Sequence, residues 1–402
     1  MAGTWAGWRR IGFVCMPFLL SGVGACEPAD QMSRQATPPS EVTEFDIESE
    51  MMVGGDAATG PMALGGIRTV QLVDSLVLVP EVISQEIRVF DLSGTYLRTF
   101  GGRGEGPGEY EGLTAVFPLP GGGVVGWEGL ARAATLHGQS GVETVPLLRG
   151  QFPDRTPSLL GVLSDTSFVL SLPREPRNLR GHPAGRFMDT VPFVRVDRHG
   201  VLRDTIALVE TPERELWDAG PMWGLDPDIF GDQMRAVLRG DWLVVVSGRE
   251  IRRYLASAPD TARVHEWEAV PTITPELITA ERERRMDEAS ALRVAVDGIR
   301  PGDMRRDVIR DLPVADPVPA FDDLAGAHDG GVWVRTLTMP TDTVAEWFLV
   351  DVDGRQRGRL RLPADERVES GSAEWVVVRS SDDLGSVLLR LLRLQEGDGG
   401  AP

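Results

Sequence analysis

Apolar residues along this chain come in short runs that alternate with polar positions and stop at turn residues, the period of half-buried β-strands. IRVFDLSGTYLRTF, from Ile87, is one such unit: an apolar β-branched run, an Asp-x-x-Gly step and a second alternating run. The outline recurs as FVRVDRHGVLRDTI from Phe193 and as FLVDVDGRQRGRLRL from Phe348. Asp at the first turn position and Gly at the fourth predict tight antiparallel hairpins at Asp91/Gly94, Asp197/Gly200 and Asp351/Gly354. Degenerate copies lie at His137 to Gly141 and Ala256 to Thr261. Upstream of the hairpins, two further short strands meet at Asp74-Ser75, Pro120-Gly121-Gly122, Asp165-Thr166, Gly240-Asp241 and Asp329-Gly330-Gly331. Four strands per unit is the content of a propeller blade.

A sixth unit supplies only three strands in sequence, around Arg367 to Ser370, Trp375 to Arg379 and Val387 to Leu394. Its missing outer strand is expected from Glu41 to Ile47, whose Val42, Phe45 and Ile47 are apolar. Sharing a blade between the two ends closes the ring and leaves no long open edge. The predicted fold is therefore all-β, a six-bladed β-propeller over residues 41–395 whose amino-terminal strand closes the last blade, with 396–402 as a disordered tail.

Long insertions all belong to connections expected on one face of such a ring. LPREPRNLRGHPAGRFMDT, inside the third unit, carries Arg174, Arg177, Arg180 and Arg186; TPERELWDAGPMWGLDPDIFGDQ, after it, carries Trp217, Trp223 and Phe230. Between the fourth and fifth units a helical insertion is expected at about 274–313. Thr274-Pro275 caps it, and Met286, Ala289, Leu292 and Val296 form an apolar stripe that should lie on the propeller face. The glycine-rich RTFGGRGEGPGEYEGL, Arg98 to Leu113, lacks both the dinucleotide and the P-loop spacing, and no helix pattern follows it. It reads as a crossing from an outer strand to the next inner one, with Arg103, Glu105, Glu109 and Tyr110 as candidate ligand contacts.

Within it, Gly102, Gly104, Gly106-Pro107-Gly108-Glu109 and Tyr110 make a G-x-G-x-GPGE-aromatic loop. In this the chain resembles six-bladed propellers related to NHL repeats and the TolB-like superfamily, particularly bacterial lipoproteins whose first blade ends in such a loop. The resemblance implies the fold across residues 41–395 and implies no reaction.

At the amino terminus, Arg9 and Arg10 precede the apolar run Ile11 to Leu20, too short to span a bilayer as a permanent helix. Val23-Gly24-Ala25-Cys26 resembles the lipobox of bacterial lipoproteins, which implies removal of residues 1–25 and acylation of Cys26. Residues 26–40, rich in Pro, Ser, Gln and Ala, read as a flexible tether. Export to the cell envelope, with a lipid anchor on the periplasmic face or outer membrane, is the expected location. With Cys15 discarded and Cys26 acylated, no thiol would remain for disulfides.

The formal charge is −19 and all 41 basic residues are Arg. Such a surface repels nucleic acid, and the absence of Lys removes Schiff-base chemistry. Hydrolase and zinc motifs are missing, and Asp351-Val352-Asp353-Gly354 starts like a calcium loop without its later ligands. His137, His182, His199, His265 and His328 are far apart and are each read as surface residues. The arginines at 174, 177, 180 and 186 suggest a guanidinium clamp for an anionic ligand, with Trp217, Trp223 and Phe230 as its apolar wall. The expected function is a membrane-tethered monomer, without cofactor, that binds a ligand or a protein, peptide or glycan partner on the long-loop face. The alternative is a calcium-dependent, lactonase-like hydrolase with its site at the channel mouth.

Overall fold

The computed structural model describes residues 33–34, 42–218, 223–291, 301–327, 330–382 and 384–397. The lipobox-like segment, His328 and nearly all of the expected tether lie outside them. Two strands come first, the two-residue β1 (Ser33–Arg34) and the long β2 (Thr43–Gly54). Antiparallel meanders follow. The first comprises β3 (Gln71–Val73), β4 (Leu76–Glu81), β5 (Glu86–Asp91) and β6 (Tyr96–Gly101). The second comprises β7 (Leu113–Pro118), β8 (Val124–Glu128), β9 (Ala133–Gly138) and β10 (Gly141–Pro146).

In the third, β11 (Ser158–Val162) and β12 (Phe168–Ser171) continue into β14 (Thr190–Val196) and β15 (Leu202–Glu210), while β13 (Gly185–Phe187) leaves the sheet. Instead β13 pairs with β16 (Arg214–Asp218), which pairs with β17 (Trp223–Pro227). The insertions expected as loops thus meet in a small sheet of their own. The fourth meander is β18 (Arg235–Arg239), β19 (Trp242–Ser247), β20 (Glu250–Leu255) and β21 (Ala258–Glu266), with β1 alongside β21 in parallel.

The insertion that follows holds two helices, α1 (Pro275–Ser290) and α2 (Pro301–Asp311). α1 ends at Ser290, and Leu292 and Val296 of the expected stripe lie outside the described residues. Then come β22 (Phe321–Ala327), β23 (Val332–Thr336), β24 (Val344–Val350) and β25 (Gln356–Pro363), followed by β26 (Arg367–Gly371), β27 (Trp375–Ser381) and β28 (Val387–Glu396). Short parallel pairings of β22 with β26 and of β2 with β25 join these last meanders and β2 into one closed circuit of eight strands.

The first strands of successive meanders touch in the order β3, β7, β11, β18, β22 and β26, and β26 returns to β3. Burial follows this radial order. Second strands such as β4 are buried on both faces, whereas the outer strand β25 alternates, burying Gly358, Leu360 and Leu362 only. Apolar faces of neighbouring sheets fill the wedges between them, as Trp127, Leu159 and Phe168 do on one side and Phe193, Leu238 and Val245 on another. The closing strand extends well beyond the expected Glu41 to Ile47, since β2 pairs antiparallel with β28 from Phe45 to Gly54. Arg390 clasps the pair through Glu50 at 2.6 and 2.9 Å.

Hairpin turns form where Asp-x-x-Gly stands. Asp91 Oδ1 accepts from the N–H of Ser93 and Thr95, and Gly94, at φ 75°, takes a left-handed conformation that other residues reach only with strain. Asp382 and Gly385 repeat the device between β27 and β28, where Asp382 Oδ1 accepts from the Leu384 and Ser386 N–H. In the glycine-rich crossing, Gly101 at φ 78° lies flat against the ring of Tyr110, as does Gly126 from β8, so side chains at either position would collide with it. Tyr110 itself is fully buried and shares a 2.7 Å hydrogen bond with His137 Nε2.

Candidate functional site

The inner strands line an open axial cavity of about 1020 Å³. Its wall includes Gln71 of β3, Phe117 of β7, Leu160 of β11, Gly326 of β22 and Glu369 of β26, and β18 contributes Arg235 and Arg239. The mouth is built from connections on the long-loop face: Val82, Glu175, Arg214 of β16, Asp226 of β17 and Arg305 of α2. Side chains an even number of residues apart on β18 face the same way, so Arg235 and Arg239, four residues apart, mark two levels about 13 Å apart. Because β18 is entered from the long-loop face, Arg235 belongs to the mouth.

Some of the wall charges are paired. Arg305 grips Asp226 at 2.7 and 3.1 Å, and Asp226 also accepts from Trp217 Nε1 at 2.7 Å, which pins α2 to the small sheet over the mouth. Arg367 reaches Asp323 at 2.8 Å and Arg379 approaches Glu369 at 3.2 Å. Burial nevertheless pushes the Glu369 carboxyl above the usual range, outweighing the two arginines. Asp232 is raised by burial too, although Ser247 Oγ and the Gly248 N–H each donate to it at 2.6 Å.

Other wall charges are not paired. Among the described residues no carboxylate lies within ion-pair distance of Arg68, Arg214, Arg235 or Arg239. The Nε atoms of Arg214 and Arg235 are buried without an acceptor. Arg239 donates only to the Leu238 carbonyl at 3.0 Å and to Ser370 Oγ at 3.2 Å, in a space left by Gly326. Burial lowers the Arg214 guanidinium and pushes Arg239 down to about 10.

None of the residues singled out from the sequence lines this cavity. Arg174 is held by Asp154 at 2.9 Å, Arg177 by Glu175 at 3.3 Å, and Arg186 by Asp228 at 2.6 Å and Glu213 at 3.1 Å. Arg180 stacks over the ring of Trp223 at 5.0 Å. The expected clamp is thus dispersed among local partners. Trp217 and Phe230 are buried, the first on Gly224 and the second beneath the helices. On the crossing loop, Arg103 is exposed and donates to the Ile83 carbonyl at 2.6 Å, Glu109 closes its own turn onto the Gly106 N–H at 2.9 Å, and Glu105 faces solvent. Tyr110 belongs to the core and is out of reach of any ligand. Reading the histidines as surface residues fails for His137 and His265, both buried, and holds for His182 and His199. The cavity arginines carried no motif; the one sequence signal was Arg235 and Arg239 at period-two spacing on an otherwise apolar inner strand.

Among the described residues no three His, Cys, Asp or Glu side chains converge as metal donors, so the calcium-dependent reading finds no ligand set there. The family described as a 6-bladed beta-propeller, DUF5128, matches residues 59–117. No curated protein matches the chain. Similar solved structures include a Bacteroides fragilis protein provisionally described as exported, with 13% identity, 90% of this chain and 98% of that one covered, and a TM-score of 0.47. A member of the duf4221 family from Bacteroides vulgatus shows 9% identity over 89% and 99% of the two chains with a TM-score of 0.47. Virginiamycin B lyase from Staphylococcus aureus shows 10% identity over 86% and 99%, with a TM-score of 0.39. The chain is a β-propeller, with two α-helices among the described residues.

Proposed function

We propose that this protein is an exported, lipid-anchored propeller of six blades that binds a small ligand through the mouth of its axial cavity. The circular order of inner strands from β3 to β26 supports the blade count, as does the family description matched by the first meander. Arg9-Arg10, the apolar run after them and the Val23 to Cys26 box support export and acylation at Cys26. One observation carries the binding reading: the long connections gather over a cavity whose wall retains polar groups without partners. A concave hollow of this size, open at its mouth, suits a small molecule better than the broad, flat contact of a protein partner.

Two measurements test it. In cells, Cys26→Ala should abolish incorporation of labelled palmitate and release the protein from the membrane fraction; retained label would refute the anchor. In vitro, native mass spectrometry after exposure to an envelope extract should show a bound small molecule on the parent protein and none on Leu160→Trp, which fills the cavity wall. Equal capture by both would place the binding surface elsewhere.

A further inference from the structure

The cavity's charge runs against the rest of the molecule. Across the chain, 60 acidic residues face 41 arginines, so carboxylates abound, and the arginines on the long connections have found them. In the cavity the ratio inverts, with seven arginines against the carboxylates of Glu175, Asp226, Asp232 and Glu369: Arg305, Arg367 and Arg379 are ion-paired with Asp226, Asp323 and Glu369, whereas among the described residues Arg68, Arg214, Arg235 and Arg239 make no ion pair, Asp189 and Asp232 acting on Arg214 and Arg235 only from a distance. Crowding like charges into a partly dehydrated wall costs stability unless something of opposite sign enters. The missing acceptors are specific, since the Nε atoms of Arg214 and Arg235 are both buried without a partner, and Arg235 donates only weakly, from Nη2 to Gln233 Oε1 at 3.4 Å.

Resting on the binding reading above, we propose that the axial cavity holds an organic oxyanion, a carboxylate- or phosphate-bearing molecule whose charged end meets Arg214 and Arg235 at the mouth. Guanidinium matches both groups with a planar pair of N–H donors, which a solvated ammonium would not. The remainder of the ligand is apolar, because Phe117, Leu160 and Met234 supply uncharged wall in the same space. Arg68, exposed at the rim, draws the anion inward against the negative field of the outer surface. Arg239, at the far level, supplies a second positive site for a ligand with anionic groups at both ends.

The test uses the mature protein from residue 26, at pH 7.5, with 2-naphthoate, 1-naphthyl phosphate, the uncharged 2-naphthamide and inorganic phosphate as probes in calorimetry. At least one naphthyl anion should bind, and the amide should bind at least tenfold more weakly; which anion wins separates carboxylate from phosphate as the natural group. The double variant Arg214→Gln/Arg235→Gln should lose at least tenfold in affinity for that anion while melting at the same temperature as the parent or higher, because two unpaired charges are gone. Equal binding of the amide and the anions overturns the oxyanion assignment and leaves cavity binding intact. Failure of every probe overturns the proposal without touching the native capture experiment. Phosphate binding as well as its naphthyl ester overturns the apolar part. A double variant that melts several degrees lower would show these guanidiniums to be structural, and the proposal would fall.

Discussion

His265 sits in the core beside Gly354 with neither ring nitrogen hydrogen-bonded, and Arg253 and Arg263 lie near it. Burial first, and then these arginines, holds its pKa below the ordinary histidine value; burial does the same to His137. A depressed folded-state pKa means the neutral ring is the one the fold accepts. The associated stability is complete above the unfolded value, about 6.5, and drains away as pH falls through the folded one. Thermal melts from pH 7.5 to 5.5 should therefore show the parent losing stability faster than His265→Leu; parallel curves would mean the ring is not a source of the acid sensitivity. Nothing local foretold this burial. His137 and His265 occupy strands as ordinary alternating polar positions, and only the neighbouring sheet or turn packed over each ring excludes water.

Among the elements, β2 matters most to integrity, since it supplies an outer strand from the opposite end of the chain. Its charged clasp is partly buried: Arg390 bonds Glu50 and Glu366, and the hydrogen bond from Arg390 holds the Glu50 carboxyl below its usual range. Arg390→Leu strands Glu366 in a nearly enclosed position, and in urea unfolding it should cost about 1–2 kcal/mol, between the values for exposed and buried pairs. A cost near zero would assign closure to the apolar face of β28 alone. Such elements were readable because hairpin strands and turns obey short-range rules: Asp91, Asp197 and Asp351 bond backbone groups within four residues of themselves. The small sheet of β13, β16 and β17 was not, since its partners come from two separate insertions.

At the scale of the whole molecule, one face carries the additions. Helices α1 and α2 bury Ala289 and Ile309, and Leu312 follows just after α2, against Ile229 and Phe230, and Arg305 ties them to Asp226 at the cavity mouth. Arg305→Ala should loosen this cap without disturbing the ring. Hydrogen exchange should then run at least tenfold faster in α2, β16 and β17 while β3 to β12 stay unchanged; uniform protection would mean that apolar packing alone holds the cap down.

Periodicity, turn residues and the apolar strand at the amino end determined the β architecture and its closure, because each depends on residues adjacent in sequence or on a repeating pattern. Which arginines are free was decided only by the tertiary structure. Arg186 and Arg214 lie on neighbouring strands of the same small sheet, yet the first meets Glu213 and Asp228 while the second faces the cavity and, among the described residues, makes no ion pair. Charge pairing acts over a few ångströms of space, and the partners within that distance are brought there by segments that the sequence keeps tens of residues apart.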